Sequence, residues 1–384
     1  MTPINGTFAS VADLLRAHRP AEPVYCVYPH ICEAAAREFI AGFPGRVLYA
    51  VKANDFPQIL RPLIKGGVAD FDCASLPEIA NVKHIYPDAR CYFMTPVRLR
   101  GAAREAQSEY GVRHFMIDHL SALAPLAEEI DMQRSVVFAR MAVSHEAAMQ
   151  NLSLRFGAAP QEIAALLKAI AASGAEPALA FNVGSAVTSP DAYRYAIGVA
   201  RDVLQTLPFK LRLVDIGGGF AKTYPDFSVP PLGEYFAAIK AATATLPLAE
   251  NGEVFGEPGR ALAAPGMSAV VEVVLRKDRR LFLNDGMYGI FWELRFKGHK
   301  RYSVRCFRDG ALLGGATGGF RLFGPTCDST DELPDDVALP LDIRPGDYLE
   351  FGPIGAYSLS GRTSFNGFFS ENIVDIETGA PPTV

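Results

Sequence analysis

Lys52 closes an apolar strand, Val47-Leu48-Tyr49-Ala50-Val51-Lys52-Ala53-Asn54, which is where a Schiff-base enzyme keeps its amine. Burial lowers an amine's pKa and makes it a nucleophile, so a depressed Lys52 is expected. A strand-end lysine with a solvated head group is the ordinary alternative, and two further motifs weigh against it. Asp215-Ile216-Gly217-Gly218-Gly219-Phe220 follows a second apolar strand, and its glycines let backbone N–H groups approach an oxyanion, as a phosphate cradle requires. A tight turn needing positive φ would use the same glycines. Phe220-Ala221-Lys222 supplies no third glycine at dinucleotide spacing, which disfavours a dinucleotide site. Glu257-Pro258-Gly259-Arg260 sets a carboxylate beside an arginine, and alone this reads as an ion pair. Beside the lysine and the cradle it reads differently. The carboxylate can hold a proton at a pyridine nitrogen while the arginine binds a phosphate, which describes pyridoxal 5'-phosphate.

These motifs need a scaffold that brings distant strand ends together. Between about residues 47 and 260, short β-branched runs alternate with amphipathic stretches, as in repeated βα units around a parallel sheet. Eight strands are expected: Val47–Ala53, Ala69–Ser75, Cys91–Pro96, His114–His119, Val136–Ala142, Leu179–Ser185, Leu211–Gly217 and Val254–Gly259. Helical spacing runs through Glu162–Ile170 and Ala192–Leu207. The fold class is α/β, a (β/α)8 barrel, with a doubly wound open sheet as the alternative. Lys52, Asp72, Asp118, Arg140, Asn182, Gly217–Gly219 and Glu257 fall near the ends of separate strands, which a barrel gathers on one face. After residue 265 the texture becomes all-β, with strands expected at Met267–Leu275, Arg280–Asn284, Lys300–Phe307, Tyr348–Phe351 and Phe368–Ile376 and a loop-rich Pro325–Pro345. The expected domains are a barrel over 24–264 and a β domain over 265–384 joined by residues 1–23.

A chain of 384 residues with 49% hydrophobic content can bury a large core. The net charge of -5 and the absence of basic runs disfavour nucleic acid and anionic membranes, leaving small molecules and other proteins as partners. Six cysteines without a CxxC pair fit a reducing cytoplasm. The N-terminus lacks a basic segment followed by an apolar one, so no leader is expected. The seven histidines pair with no cysteine or carboxylate at metal-site spacing, and no metal is expected.

Over nearly its whole length the chain resembles the fold-type III pyridoxal-phosphate decarboxylases, the family of ornithine, diaminopimelate and carboxynorspermidine decarboxylases, whose barrel and β domain are alanine racemase-like. The resemblance rests on Tyr49–Asn54, Phe71-Asp72-Cys73-Ala74-Ser75, Asp215–Phe220, Glu257–Arg260, Gly324-Pro325-Thr326-Cys327-Asp328 and Gly355-Ala356-Tyr357. Asn284–Gly289 and Arg362–Phe368 bring it nearest the ornithine decarboxylase branch, in particular its short bacterial members. The resemblance implies Lys52 as the Schiff-base lysine and Glu257 as the partner of the pyridine nitrogen. It implies Ser185, Gly217, Gly218, Gly219, Arg260 and Tyr357 around the phosphate and Gly259 among the cofactor-binding residues, with Asp72 and Glu78 in the network about Lys52 and the ring. It further implies Cys327 as the acid that protonates the α-carbon, delivered from the neighbouring subunit of a head-to-tail homodimer. Asp285 and Asp328 would clamp the distal ammonium of a diamino acid, although either could be a turn aspartate. A second substrate carboxylate would be repelled by two aspartates, which favours a basic substrate.

Two positions depart from the family pattern. Phe181-Asn182-Val183-Gly184-Ser185 carries asparagine where the family stacks a histidine on the cofactor, so Asn182 can pack against the ring without a charge. Asn151 stands where ornithine decarboxylases carry an arginine near the cofactor. The resulting expectation is decarboxylation of ornithine or lysine to a diamine, within polyamine biosynthesis. A decarboxylase of a modified diamino acid and a catalytically dead regulatory homologue are the alternatives. Trp292 and Arg295 would shape specificity if they line the pocket, or serve packing if they do not.

Overall fold

Eight short parallel strands close on themselves in the order Arg46–Ala50, Asp70–Cys73, Arg90–Phe93, His114–Ile117, Val136–Met141, Glu176–Phe181, Leu213–Asp215 and Glu253–Gly256, the last pairing with the first. They are the eight strands expected from the sequence, and their closure excludes the open sheet. The computed structural model describes residues 3–296 and 301–383. The helical spacings become the helices Pro160–Ala172 and Asp191–Leu204 on the outer ring.

Strand alternation explains where the polar residues fall. Successive side chains point to opposite faces, so Val47 and Tyr49 pack outward with the helices while Leu48 turns inward. Leu48, Tyr92, Met116, Phe138, Ala178, Leu213 and Phe255 fill the barrel with an apolar plug. A barrel of eight strands leaves an interior that side chains fill, so the plug is a packed core. Two residues earlier on the strands lie Arg46, Asp70, Arg90, His114, Glu176 and Glu253, and ion pairs Arg46–Glu253 at 2.7 Å and Arg90–Asp70 at 2.6 Å tie this N-terminal end together. Two residues later lie Ala50, Arg140, Asp215 and Glu257, and with Asp72 and Asn182 they form the opposite end. The same alternation therefore builds a structural face and a chemical face.

The second unit is a ten-stranded sheet. Its hub is the 11-residue strand Met267–Lys277, which pairs antiparallel with Val24–Val27, Tyr348–Gly352 and Arg280–Leu283. Val24–Val27 also pairs with Ile373–Ile376, so the barrel expected to begin at residue 24 begins later, and its first helix is Pro29–Gly42. Val24-Tyr25-Cys26-Val27 is buried throughout, and such a run reads the same in either sheet. Ser303–Arg308 is the strand expected at Lys300–Phe307, of which Lys300 lies outside the described residues. Only Ile373–Ile376 of the expected Phe368–Ile376 is extended into a strand. Thr317–Phe323 and Val337–Pro340 form an antiparallel pair the sequence reading lacks, the latter inside the stretch read as loop.

The two units meet at the chemical face. The Tyr357 N–H donates to the Ala53 carbonyl at 2.8 Å, and Asn54 Nδ2 donates to the Gly355 carbonyl at 2.9 Å.

Candidate active site

Lys52 sits on a single 3-10 turn, Val51–Ala53, directly beyond its strand. The Tyr49 hydroxyl donates to the Asn54 carbonyl at 2.9 Å and the Phe56 N–H to Asn54 Oδ1 at 3.1 Å, which fixes the chain leaving Lys52. The Lys52 ammonium is ion-paired with Asp72 Oδ2, and Asp72 itself is buried. Asp215 and Glu257, also buried, rise beside them from the last two strands. Desolvation pulls the Lys52 pKa down, but the fields of Asp72, Glu257 and Tyr357 outweigh it and the amine is held well above its usual range. The depressed lysine expected from burial alone is therefore corrected: in the cofactor-free chain it is an ammonium. The Glu78 carboxyl accepts from the Ala74 N–H at 2.6 Å, while its own N–H donates to the Ser75 hydroxyl at 3.3 Å at the start of the helix; burial pushes its carboxyl up to about 7.

The glycine loop is shaped by close approach. Gly217 and Gly219 have φ of 71° and 98°, and a Cβ on Gly218 would lie 2.5 Å from the Glu257 carbonyl. The Tyr193 hydroxyl donates to the Gly218 carbonyl at 2.8 Å, pinning the loop from outside. Beside it, Asn182 Oδ1 accepts the Gly184 N–H at 3.0 Å, an Asx turn that leads into Ser185 and the short hairpin with Ala148–Gln150. Asn182 is thus oriented by its own loop and lies against Gly217. Asn151 is exposed and caps a turn by accepting the Ser153 N–H at 2.9 Å. A cation is nevertheless present at this face, because Arg140 lies 5.4 Å from the Phe156 ring and its field reaches Glu257.

Gly259 is required where three segments converge, since a Cβ there would meet the Ala53 Cβ at 2.8 Å and the Tyr357 hydroxyl at 3.4 Å. Tyr357, at φ 54°, packs its ring under Arg260 with the guanidinium 5.0 Å from the centroid. Arg260 is buried and held by both oxygens of Glu293, one of these bonds at 3.0 Å. Glu293 is the member of this site that sequence reasoning missed. Its only signal was a lone acid in the aromatic stretch Phe291–Phe296, next to the Trp292 and Arg295 that were noticed. Trp292 packs on Gly361, and Arg295 lies over the Tyr288 ring at 4.1 Å, so both have packing roles here.

Cys327 is exposed, and its N–H donates to Asn366 Oδ1 at 3.1 Å. Asp328 accepts from the Tyr288 hydroxyl and from Thr330, and these bonds hold its carboxyl below the usual carboxylate range. Asp285 is buried and accepts from the Tyr25 hydroxyl at 3.1 Å, the Gly286 N–H at 2.8 Å and the Ile290 N–H at 3.3 Å; burial pushes it up to about 6. These are the bonds of a turn aspartate. Asp285 and Asp328 both line a cavity of about 830 Å³ with Tyr25, Phe282, Phe323 and Arg362. Among the described residues, neither Cys327 nor Asp328 is hydrogen-bonded or ion-paired to Lys52, Asp72 or Glu257 within one chain.

Pyridoxal 5'-phosphate fits the barrel-end residues. Glu257 Oε1 is buried with no donor, as an oxygen awaiting a protonated ring nitrogen would be, and an amine stands across the same cluster. The chain's similarities agree with this fit. Residues 30–264 match the pyridoxal binding domain of pyridoxal-dependent decarboxylases, and residues 261–355 match their C-terminal sheet domain. A lysine/ornithine decarboxylase of Selenomonas ruminantium is 32% identical over 336 residues, covering 84% of this chain and 81% of that one. The lysine/ornithine decarboxylase of Vibrio vulnificus, solved with cadaverine, superposes with a TM-score of 0.82 at 26% identity over 97% of this chain and 100% of that one. The arginine decarboxylase of Paramecium bursaria Chlorella virus, solved with agmatine, gives 0.84 at 27% identity over 95% and 99%. With both halves matched in order and the lysine–carboxylate cluster at the junction, the chain belongs to the pyridoxal-dependent decarboxylase family.

Proposed function

We propose that this decarboxylase converts a basic L-amino acid, ornithine or lysine, to a diamine, acting in the cytoplasm as a homodimer with shared sites. When bound, the cofactor supplies the electron sink that takes up the charge left by departing carbon dioxide. Lys52 provides the amine that bonds the cofactor, and Asp72 holds a proton at its Nζ. Glu257 holds a proton at the ring nitrogen, while Asn182 packs a neutral amide against the ring. Ser185, Gly217, Gly218, Gly219, Arg260 and Tyr357 surround the phosphate, and Gly259 lets the segments that carry them close on the cofactor. Cys327 and Asp328 belong to the β domain and have no bond to Lys52 of their own chain, which supports their service to the partner's site. Phe365, Phe368 and Phe369, exposed at 40–45% beside Asn366, supply an aromatic surface for a partner subunit to cover.

The observation that carries the substrate reading is Asp328, a half-buried carboxylate held ionised on an aromatic-walled cavity. The cadaverine-bound relative favours the same class. Carbon dioxide release should be measured with L-ornithine, L-lysine, L-arginine and meso-diaminopimelate. Ornithine or lysine should be preferred, with one diamine formed per carbon dioxide. Removing one member of a close charge pair commonly costs about 2–5 kcal/mol, so Asp328→Ala should lower kcat/KM for that substrate at least ~10-fold and spare neutral amino acids. Preference for meso-diaminopimelate, or equal losses on charged and neutral substrates, would overturn the reading.

A further inference from the structure

The cluster beyond the barrel plug holds more acid than its visible partners balance. Asp72, Asp215 and Glu257 contribute three buried carboxyl groups. Lys52 pairs with one, and Arg140 reaches Glu257 only through its field. Three oxygens, Asp72 Oδ1, Asp215 Oδ2 and Glu257 Oε1, are buried with no hydrogen-bond partner. Backbone geometry prevents the last two side chains from drifting apart. Asp215 is in register with Phe255 on the neighbouring strand, the Ile216 N–H donates to the Phe255 carbonyl at 3.0 Å, and the Glu257 N–H donates to the Gly217 carbonyl at 2.9 Å. Asp215 Oδ1 accepts the Gly217 N–H at 2.8 Å, which leaves Oδ2 turned to the cluster within hydrogen-bonding reach of Glu257. Two carboxylates in contact away from water are not both ionised unless a further positive charge is set against them.

We propose that Asp215 is a positioning residue which shares one proton with Glu257 in the cofactor-free enzyme, and that this proton is the one Glu257 presents to the ring nitrogen of the cofactor. The second half rests on the reading that Glu257 faces that nitrogen. On binding, an O–H bond of the pair breaks and an N–H bond forms at the ring; both carboxylates end ionised, opposite the new positive charge. The groups facing the pair are Asp72, Lys52, Arg140 and the Gly217 N–H. Burial and the neighbouring acids raise Glu257 well above its ordinary range, and burial pushes Asp215 up to about 7, which agrees with a proton retained at neutral pH. Asp215 touches no cofactor atom in this scheme. It acts through Glu257, by removing the only low-cost way for that carboxyl to lose its proton other than to the ring.

Infrared difference spectroscopy of the full-length apoenzyme, in water and in deuterium oxide at mildly alkaline pH, tests this directly. The wild type should show a protonated-carboxyl C=O band that shifts on deuteration and disappears when pyridoxal phosphate is added. Asp215→Asn, which preserves the oxygen bonded to Gly217, and Glu257→Gln should each lack the band. In the loaded Asp215→Asn enzyme, the nitrogen-15 signal of the ring should also titrate at lower pH than in wild type. Absence of the band from wild type, or its survival in Asp215→Asn, overturns the shared proton whether or not the variants fold equally well. A band that is present in apoenzyme and persists with the cofactor bound overturns the hand-over. Failure of the protein to bind the cofactor at all would instead sink the reading of Glu257, and the apoenzyme band would still decide the sharing.

Discussion

Lys52, Asp72, Glu257 and the three glycines were legible as residues because each ends a strand and barrel strands end on one face. The charge state of Lys52 was not legible. Burial alone predicts an uncharged amine, and only the packing of Asp72 and Glu257 from two other strands, together with Tyr357, reverses the sign. Glu293 was hidden for a related reason: it reaches Arg260 from 33 residues away, on the other domain. That contact carries a prediction. A phosphate brought to Arg260 must displace Glu293 or lie beside it, and like charges juxtaposed in a buried site cost several kcal/mol. Glu293→Gln should therefore tighten pyridoxal-phosphate binding by about tenfold, ~1.4 kcal/mol, while lowering the melting temperature of the apoenzyme through loss of a buried pair. Fluorescence titration of the apoenzyme checks the first effect. Unchanged or weaker binding would remove Glu293 from the phosphate site.

At the level of elements, all eight barrel strands could be read from short β-branched runs, because period-two burial and regular helical spacers leave few other solutions. Thr317–Phe323 and Val337–Pro340 could not, since Gly318, Gly319 and Pro340 give them the look of turns. Val24–Val27 is recognisable as a strand but carries nothing that says which sheet it joins. The N-terminal end of the barrel makes its own prediction. His114 packs against Tyr92 with ring centroids 4.2 Å apart and the planes tilted by 32°, behind the ion-paired rim, and burial lowers its pKa from 6.5 to about 4. Above the unfolded-state value the ring is neutral in both states and contributes nothing. As pH falls through 6.5 the unfolded chain takes up a proton that the folded chain refuses, so stability is lost progressively until the folded value near 4 is reached. The loss is bounded by about 3.5 kcal/mol at ~1.4 kcal/mol per pH unit. Urea unfolding across this range should show a smaller decline for His114→Gln than for wild type; parallel curves would mean that His114 titrates normally.

For the whole molecule, the domain pairing follows from chain order, but the identity of the chain that supplies Cys327 depends on assembly and is written in no motif. Lys52→Ala and Cys327→Ala subunits should each be inactive alone. If sites are shared, mixing them with verified exchange should restore roughly a quarter of wild-type activity, because half the dimers are mixed and each has one intact site. No recovery would assign Cys327 to its own chain or to no catalytic role. The expectations for catalysis depend on the amine that crowns the barrel plug. Borohydride reduction of the loaded enzyme followed by peptide mapping tests it: the reduced cofactor should be attached to the peptide containing Lys52 and be absent from Lys52→Ala, whereas a label on another lysine, or on none, would contradict the placement of the whole site.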